Sequence, residues 1–161
     1  IRLSLVGSEM CIRDSPNALH KEEKTESIPE KTESLKEEEN DTCPVILVVE
    51  DNDDIREYIA TSFSNNYHIL TATNGKEGIE QALKYIPDII ISDIMMPVMD
   101  GLEATRQIRS SGSQVPIIAV TAFAYDRDRQ KALDAGCNEY LAKPLTGDKL
   151  RQTLRQLLRN G

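Results

Sequence analysis

Asp51, Asp93, Thr121 and Lys143 each stand at the end of an apolar run. The runs are Val45-Ile46-Leu47-Val48-Val49, Ile89-Ile90-Ile91, Val115-Pro116-Ile117-Ile118-Ala119-Val120 and Tyr140-Leu141-Ala142. With Glu50 beside Asp51, the set offers three carboxylates, a hydroxyl and an ammonium. Carboxylates without a His or Cys cluster suit a hard cation such as Mg²⁺. A Lys and a Thr nearby suit an anion held beside that cation.

These residues can meet only if the elements bring them together. Short β-branched runs alternating with helix-patterned segments read as buried parallel strands in βαβ units. In an open α/β sheet, ligands bind at the carboxyl ends of the strands. The pattern predicts strands over 45–49, 67–72, 88–92, 115–120 and 139–142. It predicts helices over 53–64, 75–85, 101–110, 125–135 and 146–159. Asn74-Gly75 reads as the turn after the second strand, and Gly136 as the stop of the fourth helix. Thr146 can cap the last helix, whose end carries Arg155 and Arg159 in keeping with its dipole. Leu150, Leu154, Leu157 and Leu158 give that helix its apolar face.

Four segments together carry a family resemblance. Val-Val-Glu-Asp-Asn (48–52), Ser-Asp-Ile-Met-Met-Pro-Val-Met-Asp-Gly (92–101), Val-Thr-Ala (120–122) and Tyr-Leu-Ala-Lys-Pro (140–144) resemble the receiver domain of two-component response regulators. Each motif alone is weak, but all four stand in the family's order and spacing over about residues 45–160. The resemblance implies a doubly wound, flavodoxin-like α/β fold. Its five-stranded parallel sheet would have order 2-1-3-4-5, with five helices.

The resemblance also implies roles. Asp93 would be the phosphoacceptor, on a rigid strand end yet facing solvent. Glu50, Asp51, Asp93 and the backbone carbonyl of Met95 would hold Mg²⁺. Lys143 would contact the phosphoryl group, and the Lys143–Pro144 bond would be cis. Thr121 and Tyr140 would form the switch: Thr121 bonds a phosphoryl oxygen, and Tyr140 turns into the space it leaves. Small Ala122 leaves room beside the site. From the residues alone, Asp93 reads as a cap or turn, Thr121 as a strand end and Tyr140 as half-buried core. Lys143 then reads as an ordinary surface lysine. Asp53 and Asp54 read as helix-start acids with no metal role. His20 and His68 lack the helical His-Glu setting of a phospho-histidine.

The net charge of −8 is uneven. Residues 16–44 hold nine acids and four Lys, giving −5, against −3 for residues 45–161. Nothing is basic enough to bind nucleic acid by charge. Arg127, Arg129 and Lys131 are interleaved with acids and read as a solvated face. No run is long enough to span a membrane. Cys11, Cys43 and Cys137 show neither metal spacing nor a disulfide framework, which points to a reducing, cytoplasmic setting.

Three regions are expected. Residues 1–15 resemble the conceptual translation of a transposon-based sequencing adapter. Glu9 and Asp14 and the short apolar stretch exclude a signal peptide. Residues 16–44, where Glu23-Lys24-Thr25-Glu26-Ser27 recurs as Glu30-Lys31-Thr32-Glu33-Ser34, read as an acidic disordered linker that adds nothing to folding. Pro29 interrupts any heptad there. Residues 45–161 form the receiver.

The expected function is phosphoacceptor signalling, with a histidine kinase or a histidine phosphotransfer domain as partner. Such a module catalyses its own phosphotransfer and slow dephosphorylation without being a turnover enzyme. A phosphorylation-dependent dimer is among the assemblies the resemblance allows. The acidic tail before the domain, and the end of the sequence soon after the last helix, resemble the C-terminal receiver of a hybrid sensor histidine kinase. That parent would be anchored to a membrane through missing upstream sequence. A free-standing single-domain regulator is the runner-up. A Mg²⁺-dependent phosphohydrolase would need a general acid two residues after Asp93, where Met95 stands. A flavodoxin-like nucleotide binder would need a phosphate loop where Glu50-Asp51-Asn52 stands.

Overall fold

Odd and even residues of each central strand face opposite ways, so an unbroken apolar run supplies two cores at once. The computed structural model describes residues 43–160. The strands are β1 (Val45–Val49), β2 (His68–Ala72), β3 (Ile89–Asp93), β4 (Ile117–Thr121) and β5 (Glu139–Ala142). The helices are α1 (Asp53–Phe63), α2 (Gly75–Tyr85), α3 (Gly101–Ser110), α4 (Asp126–Ala135) and α5 (Gly147–Arg159). All strand pairs are parallel, in the order β2-β1-β3-β4-β5, as expected. Ile46, Val48, Ile89, Ile91, Ile118 and Val120 pack with Ile59 and Phe63 of α1 and Leu150 and Leu154 of α5. Leu47, Val49, Ile90, Ile117 and Ala119 pack with Ala82, Ile108 and Ala132 of α2, α3 and α4. The result is a sheet between two helical layers, with every residue of β3 and β4 buried.

The element boundaries depart from expectation in instructive ways. β4 begins at Ile117 rather than Val115 because Pro116 has no N–H to give the ladder. Its carbonyl still accepts from Ile90 N at 2.9 Å. β3 runs one residue further than expected and takes in Asp93. Asn74 and Gly75 start α2 rather than merely turning the chain: Asn74 caps the helix by accepting from Glu77 N at 3.0 Å. Asn52, Asp100 and Thr146 cap α1, α3 and α5 in the same way. Gly136 ends α4 at φ 104°, as its position implied. The Lys143–Pro144 bond is cis.

Cys43 is disulfide-bonded, where the cysteine spacing showed no disulfide framework, and Cys137 is buried and free. Cysteine spacing along a chain does not show which sulfurs meet in space. The adapter-like and linker readings, and His20, also lie outside the described residues. Among the described residues no helix is long and apolar enough to cross a membrane.

The start of α2 yields a pH-dependent expectation. Glu77 accepts from Thr73 N at 2.7 Å and Thr73 Oγ1 at 2.9 Å. The Thr73 backbone bond is the main cause holding its carboxyl below the usual range. A depressed carboxyl stabilises the fold above its unfolded value, and that contribution is lost as pH falls through the folded one. Glu77→Gln is therefore expected to cost about 0.5–1 kcal/mol at pH 7, as for other capping pairs. The difference from native should shrink below pH 4, read by urea unfolding at both pH values. A constant difference would remove the ionised carboxylate from the account.

Candidate functional site

The strand order sets β1 beside β3, and β4 and β5 beyond it, so the four strand-end residues share one edge. Glu50 follows β1 and is held by its own backbone: its N–H donates to the Ala72 carbonyl at 3.0 Å. Arg56 Nη1 reaches back from α1 to the Glu50 carbonyl at 2.8 Å. The same arginine pairs with Asp53. Glu50 is 3% exposed, whereas Asp51 is open to solvent. Carboxylate oxygens of Glu50, Asp51 and Asp93 can all lie within 4.8 Å of one another.

Asp93 is the last residue of β3 and only 5% exposed, so the expectation that its carboxylate faces solvent is corrected. Two neighbours cover it. Met95 N donates to Asp93 Oδ1 at 3.1 Å, and Lys143 Nζ donates to Oδ2 at 2.8 Å. Lys143 also lies 3.0 Å from Glu50 Oε2, so one ammonium bridges two buried carboxylates. Burial pushes the Glu50 carboxyl up and the Asp93 charge adds to this, against the Lys143 hydrogen bond that lowers it. Burial pulls the Lys143 ammonium down, but its bonds to Asp93 and Glu50 outweigh that and hold it above its ordinary value.

The register fixes Lys143 relative to β4. Thr121 stands opposite Ala142, and Lys143 N donates to the Thr121 carbonyl at 2.7 Å. Thr121 is 3% exposed, and its Oγ1 accepts from Phe123 N at 3.2 Å. Tyr140 is half-buried, and its hydroxyl donates to the Phe123 carbonyl. Both proposed switch residues therefore hold the start of the β4–α4 loop, through different atoms of Phe123. The side chain of Phe123 is half-exposed and stacks on Tyr125. Met95 is also open to solvent.

Two positioning residues escaped the sequence reading. Gly101 donates its N–H to the Ile94 carbonyl at 3.0 Å, folding the β3–α3 loop back over the strand end. A Cβ on Gly101 would lie 2.0 Å from the Asp93 carbonyl oxygen, so only glycine lets α3 start there. Its signal was present as Asp100-Gly101, a cap followed by the smallest residue. Arg56 is the other, and an arginine in a helix gives no sequence sign that it will clasp a carbonyl six residues back.

The fold is that of a known family. The family profile described as "Response regulator receiver domain" matches residues 46–155. The chain belongs to that family. Response regulator MprA of Mycobacterium leprae (strain TN) is 41% identical over 115 residues, 71% of this chain and 50% of that protein. The chain thus spans about half the length of the curated relatives it matches. Among solved structures, the Francisella response regulator 1452 receiver domain superposes with TM-score 0.70 at 29% identity, covering 73% of this chain and 98% of that one. The receiver domain of sensor histidine kinase PA1611 from Pseudomonas aeruginosa PAO1 was crystallised with a magnesium ion coordinated in its active site cleft. It gives TM-score 0.66 at 37% identity, covering 71% of this chain and 97% of that one.

Proposed function

We propose that this receiver accepts a phosphoryl group on Asp93 from a phospho-histidine of a histidine kinase or a histidine phosphotransfer domain. The observation that carries the reading is the Lys143 bridge between Asp93 and Glu50 at the edge of the sheet. An Asp93 oxygen attacks phosphorus in line. The bond from phosphorus to the donor imidazole nitrogen breaks, and that nitrogen keeps the electron pair. Lys143 is placed to follow the charge from the carboxylate onto the phosphoryl oxygens. Thr121, on the neighbouring strand, would turn its hydroxyl from Phe123 N to a phosphoryl oxygen. Tyr140, tied to the same loop, would then move inward.

The residues present fit Mg²⁺. Glu50, Asp51 and Asp93 carry a formal −3 against +1 on Lys143, leaving −2, the charge a divalent ion balances. Arg56 cannot supply it, being engaged with the Glu50 carbonyl and Asp53. Glu50, Asp51, Asp93 and the Met95 carbonyl would hold the ion, and when bound it neutralises charge on the phosphoryl oxygens. The test is intact mass after incubation with a small acyl phosphodonor. A gain of one phosphoryl group that EDTA abolishes is expected. A gain indifferent to EDTA would remove the metal from the site.

As to context, the likeness to the PA1611 receiver supports a hybrid kinase as parent. The MprA likeness favours a response regulator as the second reading. The uninterrupted upstream reading frame decides between them: a kinase core preceding the acidic segment supports the first, and its absence overturns it.

The acyl phosphate should also be long-lived. Water must approach opposite the Asp93 oxygen, past Met95 and Phe123, and neither side chain can orient it by a hydrogen bond. Met95→Asn and Phe123→Glu are each expected to speed dephosphorylation several-fold after donor removal, roughly 1 kcal/mol off the barrier. If neither does, these side chains do not govern water access.

A further inference from the structure

The outer face of α5 carries Arg151, Arg155 and Arg159, one per turn and all exposed. Asp148 is the lone acid of the helix. Arg151 is engaged: it donates to Asp148 at 3.2 Å and lies 5.3 Å from the centroid of the Phe63 ring. Arg155 and Arg159 have no hydrogen-bond or ion-pair partner among the described residues. The helix dipole accounts for Arg159 in the last turn, but its effect fades before Arg155. On a domain of net negative charge, Arg155 and Arg159 therefore form a cationic patch that no described residue pairs.

Its place in the fold identifies what can cover it. Leu157 and Leu158 of the last turn border one hollow with Asp88. Asp88 Oδ2 accepts from Val45 N at 2.7 Å, and Asp88 N donates to Val45 O at 2.8 Å. The C-terminal turn of α5 thus lies close to the first residue of β1, where the upstream chain enters the domain. That upstream chain is acidic: residues 16–41 hold nine acids and four Lys. Glu37, Glu38, Glu39 and Asp41 stand four to eight residues before Val45. At about 3.3 Å per extended residue they reach roughly 13–26 Å. The stripe from Arg159 to Arg151 spans about 12 Å.

We infer that residues 16–41 lie back along the Arg155–Arg159 face of α5, held there by charge. Exposed ion pairs are individually weak and are screened over about 8 Å at physiological salt. A short tether offsets that weakness by keeping the acids at about millimolar effective concentration. The cover is loose and salt-sensitive, and an anionic partner approaching α5 must displace it.

The test uses the full chain carrying Arg155→Lys and Arg159→Lys, because a zero-length carbodiimide joins amines, not guanidinium groups, to carboxylates. Light and ¹⁵N-labelled chains are mixed before cross-linking, and the products are mapped by mass spectrometry. The expected result is cross-links within one chain from positions 155 and 159 to Glu37–Asp41. Their yield should fall roughly fivefold between 50 and 500 mM salt as screening rises. Lys76, on α2 at the other face of the sheet, is the internal reference and should show no such links. Absence of links to residues 16–41 at low salt overturns the inference. So does a yield indifferent to salt, which mere tethering would give. Predominant light–heavy links would assign the face to a second copy instead.

Discussion

Asp93→Asn is expected to take up no phosphoryl group under conditions in which the native chain gains one, a loss of at least about tenfold in occupancy. The amide keeps the shape and can still accept from Met95 N, but it lacks the anionic oxygen that attacks phosphorus. No neighbour can take over readily. Glu50 is buried, pinned by Lys143 at 3.0 Å and by Asn52 N at 3.2 Å. Asp51 is exposed and, among the described residues, has no ammonium against it to follow the charge. The substitution also takes the formal charge of the acidic set with Lys143 from −2 to −1, so Mg²⁺ should bind more weakly. Lys143 keeps Glu50 as a partner, so the fold should survive with a melting temperature within a few degrees of native. Intact mass, peptide mapping and a melting curve on the same sample check all three. An unchanged mass gain would move the phosphoacceptor elsewhere.

Gly101→Ala is expected to be the most damaging single methyl group in the domain. Its Cβ would meet the Asp93 carbonyl oxygen at 2.0 Å, the Asp93 carbonyl carbon at 2.9 Å and Ser92 Oγ at 2.8 Å. Two of these atoms are backbone at the end of the central strand and cannot swing aside. The helix must lift from β3, which also loosens the Gly101 N–H bond to the Ile94 carbonyl, 3.0 Å long. Overpacking usually costs 1–3 kcal/mol, and a backbone clash belongs at or above about 3 kcal/mol. The melting temperature should fall by roughly 10 °C or more. Because the clash falls on Asp93 itself, phosphoryl uptake should drop in whatever fraction stays folded. Gly112→Ala is the contrast. Gly112 has φ +88° and nothing within 4 Å of the added Cβ, so only conformation opposes the change. About 1 kcal/mol is expected there. Equal effects at the two glycines, by urea unfolding, would mean that space at the start of α3 is not the constraint.

Much of this protein was legible before any tertiary contact was known. Alternation of β-branched runs with helical periodicity sets five strand–helix units, because a strand buried on both faces has to be apolar at every position. The boundaries of α2, α3 and β5 fall where the pattern of apolar residues put them, but the capping by Asn74 and Asp100 appeared only in the structure. The candidate site was legible because a parallel sheet puts all strand ends of one sense at one edge, so spacing along the chain becomes proximity in space.

Tertiary structure decided what depends on depth and shared neighbours. Asp93 and Asp51 are both acids at strand ends, yet one is buried and the other open, because only Asp93 lies on the central strand beneath a folded-back loop. Which carboxylates Lys143 bridges was likewise undetermined, since a four-carbon stem reaches several partners and packing selects among them. Pro116 shortened β4, an effect that required knowing which N–H faced the ladder. Gly101 and Arg56 acquired their roles only when α3 and α1 closed on the sheet, because a clash or a carbonyl clasp belongs to two segments at once. The sequence by itself determined which groups would meet at the edge of the sheet. The packing around them determined which are anionic and covered, which are open to a donor, and which hold the others in place.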